Sequence, residues 1–288
     1  MNKSIKHSSI KNRKKREHIV DIVCFALVFL LALIMLFPLW WIFRSSLMTN
    51  AEIGSLSFFP SRWLWSNYGE SMDVFPYFSY LGNTMIIVIP AVVFGTSTAV
   101  LCGYSFARLY FRGRKFFFAL CMSSILLPPM VTLIPLYIGW VRFLNLSGTY
   151  WPLVLPWICG GGAFNIFLIR QFMLTIPREL DEAAMIDGAG RLRTLVQILV
   201  PQLKPAVIVV ALFIFLNVWN DVLQQTVYLT DPNMYTIALG LRRFSGAYGT
   251  NWRYAMAATC LSILPGLIIY MIGQRWFVEG IVLTGLKD

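Results

Sequence analysis

Apolar residues run through this chain in long uncharged blocks, separated by short polar stretches. Residues 22–43, 74–107, 116–141 and 254–274 contain no Asp, Glu, Lys or Arg. Each block reaches the roughly 20 residues that a helix needs to cross a bilayer. Two more spans are expected between the polar stretches, one from the turn at 142–150 to about Arg170, the other from Pro205 to about Leu229. The pattern predicts an all-α polytopic membrane protein with six transmembrane helices and no 20–50-residue repeat. Pro128, Pro129 and Pro135 must break the hydrogen-bond ladder of the third span, which membranes tolerate only where neighbours or water satisfy the backbone. Gly160, Gly161 and Gly162 lie within the fourth and favour close packing through small residues over local unwinding.

Composition agrees: 58% of the 288 residues are hydrophobic and 13% charged, with a mean hydropathy of +0.67. Soluble domains carry about twice that charged share. The net charge of +11 is a topology signal. Of the 24 Lys and Arg, 18 fall in the N-terminal segment, the turn 108–115, the stretch 170–204 and the C-terminal tail, and 6 on the other side. The positive-inside rule places both termini and the 170–204 stretch in the cytoplasm and removes any need for nucleic acid as a partner. The expected organisation is a basic tail over residues 1–20, a six-helix domain over 21–275 with a cytoplasmic loop at 173–204, and a tail over 276–288. The N-terminal cluster Lys11, Arg13, Lys14, Lys15 and Arg16 could open a signal peptide, but the apolar run that follows is too long and lacks a small-residue cleavage site. The aromatic segment 44–78, with Phe58, Phe59, Trp63, Trp65 and Tyr68, is expected outside, near the headgroups.

Chemistry is sparse. Cys24, Cys102, Cys121, Cys159 and Cys260 sit in apolar runs without metal-ligand spacing, and read as small buried hydrophobes. The only histidines, His7 and His18, lie near the N-terminus, so histidine catalysis and zinc chemistry are not expected. No Walker A pattern is present, so this chain cannot hold ATP in that way.

The exception is a charged island at 178–201, with Glu179, Asp181, Glu182, Asp187, Arg191 and Arg193. Pro177 precedes a first helix whose opening turns carry acids, as the helix dipole favours. Gly188 permits a turn, and Leu192, Leu195, Val196 and Leu199 recur at helical spacing in a second piece that ends near Pro201. Glu182-Ala183-Ala184, Gly188, Ile198 and Pro201 keep the spacing EAA-x3-G-x9-I-x-L-P, with Val200 where the pattern has Leu. This resembles the coupling loop of ABC importer permeases. Asn83-Thr84, Leu127-Pro128-Pro129, Ile134-Pro135-Leu136-Tyr137, Gln171-Phe172, Trp219-Asn220-Asp221 and the run from Arg275 to Gly280 extend the likeness over about residues 20 to 286. They are similar to the carbohydrate-import branch and its MalG-like subunits of the maltose type. The resemblance implies the type I ABC importer permease fold in a bacterial cytoplasmic membrane. It implies a second, MalF-like permease, two cytoplasmic ATPase subunits that hold ATP and Mg, an extracytoplasmic solute-binding protein and a sugar or oligosaccharide substrate. Glu182, Ala183, Ala184, Asp187 and Gly188 would dock into the ATPase, and this chain would itself hold no cofactor and do no chemistry.

A second polar group lies on the fifth span. Asn217, Asn220, Asp221, Gln224 and Tyr228 fall on one helical face, about 25 Å from Lys204 at the level of Asp221, and are expected to line a path for a polar solute. Trp219 points away and is expected to pack. The loop 231–253, with Arg242, Arg243 and Arg253, could dock a binding protein, attract an anionic solute or be merely solvated. A glycerol-phosphate or anionic-oligosaccharide permease stays open as an alternative. A membrane glycosyltransferase would need acidic or histidine clusters, and a secondary transporter would need inverted repeats with intramembrane ion ligands. Neither pattern is visible.

Overall fold

The computed structural model describes the backbone of residues 2–55, 57–244 and 251–285, and side chains within 18–276 of these. The basic cluster at 11–16 and the Phe277–Gly280 motif therefore fall outside the described side chains. Among the described residues no strand occurs. In chain order the helices are α1 (Asn2–Ser46), α2 (Asn50–Ile53), α3 (Ser66–Val74), α4 (Tyr77–Ala107), α5 (Arg114–Ser123) and α6 (Pro129–Tyr137). There follow α7 (Trp151–Gly160), α8 (Ala163–Thr175), α9 (Glu179–Ile186), α10 (Arg191–Thr194), α11 (Val200–Gln202) and α12 (Lys204–Trp219). The last are α13 (Leu223–Tyr228), α14 (Ile237–Leu241) and α15 (Trp252–Gly285).

Four stretches are long and apolar enough to cross a membrane: His18–Ser46, Tyr77–Ala107, Trp151–Thr175 and Trp252–Trp276. Two bent pairs raise the total to six if each is one span. Arg114–Leu126 and Pro129–Phe143 meet at 102°, and Arg191–Gln202 and Lys204–Trp219 at 85°. The first bend falls at Pro128, as the missing N–H and the Cδ clash require. The helical boundaries run past those expected from charge. α1 extends back through the basic tail, and α15 continues beyond Arg275.

The chain forms two compact units. One holds the chain up to Ser71 together with the segment of α15 ending at Cys260. Here Asn67 Nδ2 donates to the carbonyls of Ser46 (2.9 Å) and Met48 (3.0 Å). Arg44 is fully buried, with Nη2 on the Ser55 carbonyl (2.8 Å) and its guanidinium over the Trp41 ring. The Tyr254 hydroxyl donates to Glu70 (2.6 Å), and that bond holds the Glu70 carboxyl below its ordinary range. The apolar stretch of α1 is exposed all round.

The other unit holds Met72 onward, with α15 from Leu261. α4 is its axis, packed against α7, α8 and α12. The Gly160–Gly162 stretch is both of the things weighed from sequence. The helix unwinds between α7 and α8, with Gly161 at φ +61° and Gly162 at +86°. It also packs closely: a Cβ on Gly161 would lie 2.6 Å from the Gly95 carbonyl oxygen and 2.8 Å from the Ala99 nitrogen. The five cysteines are unpaired, but they are not buried as expected. Cys24 and Cys159 are exposed and the others half-buried, because the outer faces of their helices have no cover from this chain.

Candidate functional site

The island folds as two helical pieces hinged at Gly188, as its pattern implies. α9 ends at Ile186, the Asp187 amide returns to the Ala183 carbonyl, and Gly188 takes φ +74°. A Cβ there would meet open space, so only the left-handed backbone demands glycine. Glu182, Ala183, Asp187 and Gly188 are exposed. Ala184 is not: it is 4% exposed and turned into its own chain. The reason lies one turn earlier. Asp181 and Ala184 share a helical face, and Asp181 is held inward by Arg108. The outward face of α9 therefore carries Glu182, Met185 and Ile186 instead.

The second piece has two apolar faces. Leu195 and Leu199 are buried and support the island from within, while Leu192 and Val196 are exposed. Its middle, Leu195–Leu199, winds as a π turn, a departure from the regular helix the spacing suggests. Met185, Ile186, Leu192 and Val196 thus leave apolar surface uncovered on a charged segment of the chain, the usual mark of an interface.

Beneath α9 lies a cavity of about 310 Å³, lined among others by Tyr104, Arg108, Arg178, Asp181, Glu182 and Arg191. Arg108 Nε stands 3.3 Å from Asp181 Oδ2, at 6% and 15% side-chain exposure. They do not form a hydrogen bond, so these atoms hold each other by charge. Arg108 Nη2 donates to the Ile176 carbonyl (2.7 Å), where α8 ends.

The polar stripe of the fifth span is not one helical face. α12 stops at Trp219, and α13 begins only at Leu223. No proline or glycine causes the break. Asn and Asp side chains do, by offering local partners that compete with the helical ladder. Asn217 and Asn220 donate back to the Phe213 and Leu216 carbonyls (2.8 and 2.9 Å). Asp221 Oδ1 accepts the Gln224 amide (3.0 Å) and starts α13 as a capping residue does. Even so, Asn217, Asn220, Asp221 and Gln224 converge, lining a cavity of about 490 Å³ with Pro129, Trp157, Leu216 and Leu223. Amide groups, one carboxylate and an indole face it, and no Lys or Arg is among its lining. Tyr228 leaves this group: it is buried and stacks on Tyr137, with ring centroids 5.9 Å apart. Trp219 packs as expected, 8% exposed and stacked on Phe215.

Sequence reading missed Trp157, Pro129 and Gln225. Trp157 and Pro129 come from other spans, and their only signals were an aromatic beside the triple glycine and the Pro128-Pro129 pair. Gln225, 1% exposed, was passed over as the neighbour of Gln224. Its Nε2 donates to the Val218 carbonyl across the helix break (3.2 Å), and its Oε1 accepts the Thr236 hydroxyl. The loop after α13 is accordingly not a solvated connector. Asn83 Nδ2 donates to the Asn233 and Tyr235 carbonyls (2.7 and 2.9 Å), and Thr84 Oγ1 accepts the Ile237 amide (3.1 Å). α14 is mostly buried, and the loop's arginines are engaged. Arg242 bonds Thr226, Arg243 bonds the Tyr80 hydroxyl, and Arg253 pairs with Glu70. Residues 245–250 of this loop fall outside the described residues.

Residues 95–282 match the model of the family described as "Binding-protein-dependent transport system inner membrane component". Among curated relatives, the arabinooligosaccharides transport system permease protein AraQ of Halalkalibacterium halodurans is 31% identical over 89% of this chain and 93% of its own. The sn-glycerol-3-phosphate transport system permease protein UgpE of Yersinia pestis is 30% identical over 95% and 98%. The probable ABC transporter permease protein YurM of Bacillus subtilis is 29% identical over 98% and 94%. Among solved structures, a chain of a bacterial ABC transporter that imports the acidic polysaccharide alginate superposes with a TM-score of 0.77. It is 25% identical, over 90% of this chain and 97% of that one.

Proposed function

The chain belongs to the family of binding-protein-dependent transport system inner membrane components, and from that premise we propose that it carries a neutral sugar or oligosaccharide through the Asn217 cavity. It is a multi-pass permease subunit of an ABC importer, a family whose permeases are themselves non-catalytic. The cavity carries the substrate assignment. Asn217, Asn220 and Gln224 offer amide donors and acceptors, Asp221 accepts from hydroxyls, and Trp157 offers an apolar face to a sugar ring. An anionic solute, such as the glycerol phosphate of one relative or the alginate of the structural neighbour, would meet Asp221 and no lining cation. Arg242 and Arg243 are not among the residues that line it.

In the full reading this subunit pairs with a MalF-like permease and receives solute from an extracytoplasmic binding protein. It draws on two cytoplasmic ATPases that hold ATP and Mg. Glu182, Ala183, Asp187 and Gly188 belong to the ATPase docking surface, with Met185 and Ile186 as its apolar anchors and Ala184 as the packing residue beneath. The termini and the island face the cytoplasm, a reading supported by the distribution of Lys and Arg.

The test is ATP-dependent uptake by the reconstituted complex, using neutral di- and oligosaccharides beside sn-glycerol 3-phosphate. Asn217→Leu and Asp221→Leu are expected to lower uptake of the preferred saccharide by about tenfold, the worth of one or two hydrogen bonds, with ATPase subunits retained. Normal uptake in both variants removes the cavity from the route. Preferred uptake of glycerol phosphate, increased by Asp221→Asn, overturns the neutral-sugar reading. For orientation, Ser57→Cys in whole cells should react with an impermeant maleimide and Gly190→Cys should not; the reverse pattern inverts the topology.

A further inference from the structure

Arg108 occupies the point where three segments meet. It is the C-cap of α4, its amide bonded to the Tyr104 carbonyl. Its Nη2 holds the Ile176 carbonyl at the end of α8, immediately before Pro177 opens the island. Its Nε holds Asp181 in the first turn of α9. One guanidinium thus fixes both where the coupling segment leaves the membrane helix and at what angle its first helix lies. The pair is shielded from water, so its attraction is little screened. The 310 Å³ cavity beside it leaves room for rearrangement around an anchored point rather than a packed contact.

The other end of α4 carries Asn83 and Thr84, which hold the backbone of Asn233, Tyr235 and Ile237. The chain there leads through Thr236 to Gln225, which spans the break between α12 and α13 beside the Asn217 cavity. From Asn83 to Arg108 the helix is continuous through Pro90 and about 37 Å long at 1.5 Å per residue.

We propose that Arg108 is a positioning residue that welds α9 to α4 through Asp181, so that displacement of the coupling helix moves α4 and, through Asn83, Thr84 and Gln225, reshapes the Asn217 cavity. The inference rests on the importer reading above and adds to it the element that carries the stroke. Coupling of this kind needs a shared element biased from both ends, not mere proximity. α4 with a charged anchor at one end and a double amide anchor at the other is such an element.

The experiment needs no knowledge of the solute. Asn220→Cys, in an otherwise cysteine-free complex with its permease and ATPase partners, is labelled with an impermeant methanethiosulfonate reagent. Its labelling rate is compared in the nucleotide-free state and after trapping with ATP, Mg and vanadate. With Arg108 and Asp181 intact, trapping changes the rate. In Arg108→Gln, and in Asp181→Asn, which keeps the side chain's shape, the nucleotide-dependent change is expected to shrink about three- to thirty-fold with ATPase subunits still bound. Arg108→Lys, which keeps a cation beside Asp181 and a donor for the Ile176 carbonyl, should retain more of the change than Arg108→Gln. A full response in both Arg108→Gln and Asp181→Asn overturns the weld, as does a response in Arg108→Lys no larger than in Arg108→Gln. Absence of any response in the parent complex overturns the importer reading itself.

Discussion

The 178–201 island and the Asn217 cavity are both polar interruptions of an apolar chain, and they are built in opposite ways. The island is contiguous. Its two helices, hinge and punctuating prolines lie within about one stretch of sequence, and its glycine stands in open space. The cavity is assembled from three separated segments, with Pro129, Trp157 and the run from Leu216 to Gln224 brought together around it. Gly161, the C-cap of the helix that carries Trp157, has no space at all. The segment proposed to dock is governed by local backbone rules. The cavity proposed to pass the solute is governed by close packing of distant residues.

Gly161 gives the largest test of that contrast. Gly161→Ala adds a Cβ against the backbone of α4 at a positive φ. We expect a loss of about 2–5 kcal/mol, the sum of an overpacking term and a left-handed backbone term. The measurement is thermal unfolding of the purified complex; a Tm unchanged within a degree would mean that the close approach to Gly95 is not real.

An intermediate effect is expected at Gln225. Replacement by Leu keeps the volume but leaves the Thr236 hydroxyl without its acceptor and removes one of the donors to the Val218 carbonyl. Unpaired buried polar groups cost about 1–3 kcal/mol. Amide exchange in the 231–241 loop should rise in Gln225→Leu, and should rise less in Gln225→Glu, whose carboxylate still accepts from Thr236. Equal protection in Gln225→Leu and the parent would detach this loop from the cavity.

The smallest effect belongs to the island. Gly188→Ala meets no atom within 4 Å and bears only the left-handed penalty, about 1–2 kcal/mol. Stability should fall less than in Gly161→Ala, while ATPase retention falls more. If Gly188→Ala destabilised the isolated permease as much as Gly161→Ala, the two regions would not differ in the way described.

How much of each region could be read in advance follows from the same contrast. The island's boundaries, hinge and exposed Glu182, Ala183, Asp187 and Gly188 were legible because helix starts, acids in first turns and positive-φ glycines are local signals. The inward turn of Ala184 was not, because it depends on Arg108, which lies 73 positions before Asp181. The cavity's Asn217, Asn220, Asp221 and Gln224 were found from a helical period that the structure then broke. The grouping survived because capping by Asp221 returns Gln224 to the same side. Trp157, Pro129 and Gln225 carried no pattern of their own.

By itself the sequence determined that the chain crosses a membrane several times, where its charged segments fall and which loop holds two helical pieces hinged at a glycine. Uncharged length and the placement of Lys and Arg are one-dimensional quantities, and the cost of burying charge in hydrocarbon leaves few alternatives. Only the tertiary structure decided that the fifth span breaks after Trp219, that the 231–244 loop folds back onto α4, and that Arg108 closes on Asp181. These depend on which distant groups satisfy a buried guanidinium, an amide or an interrupted backbone, and a buried polar group accepts whichever partner the fold brings to it.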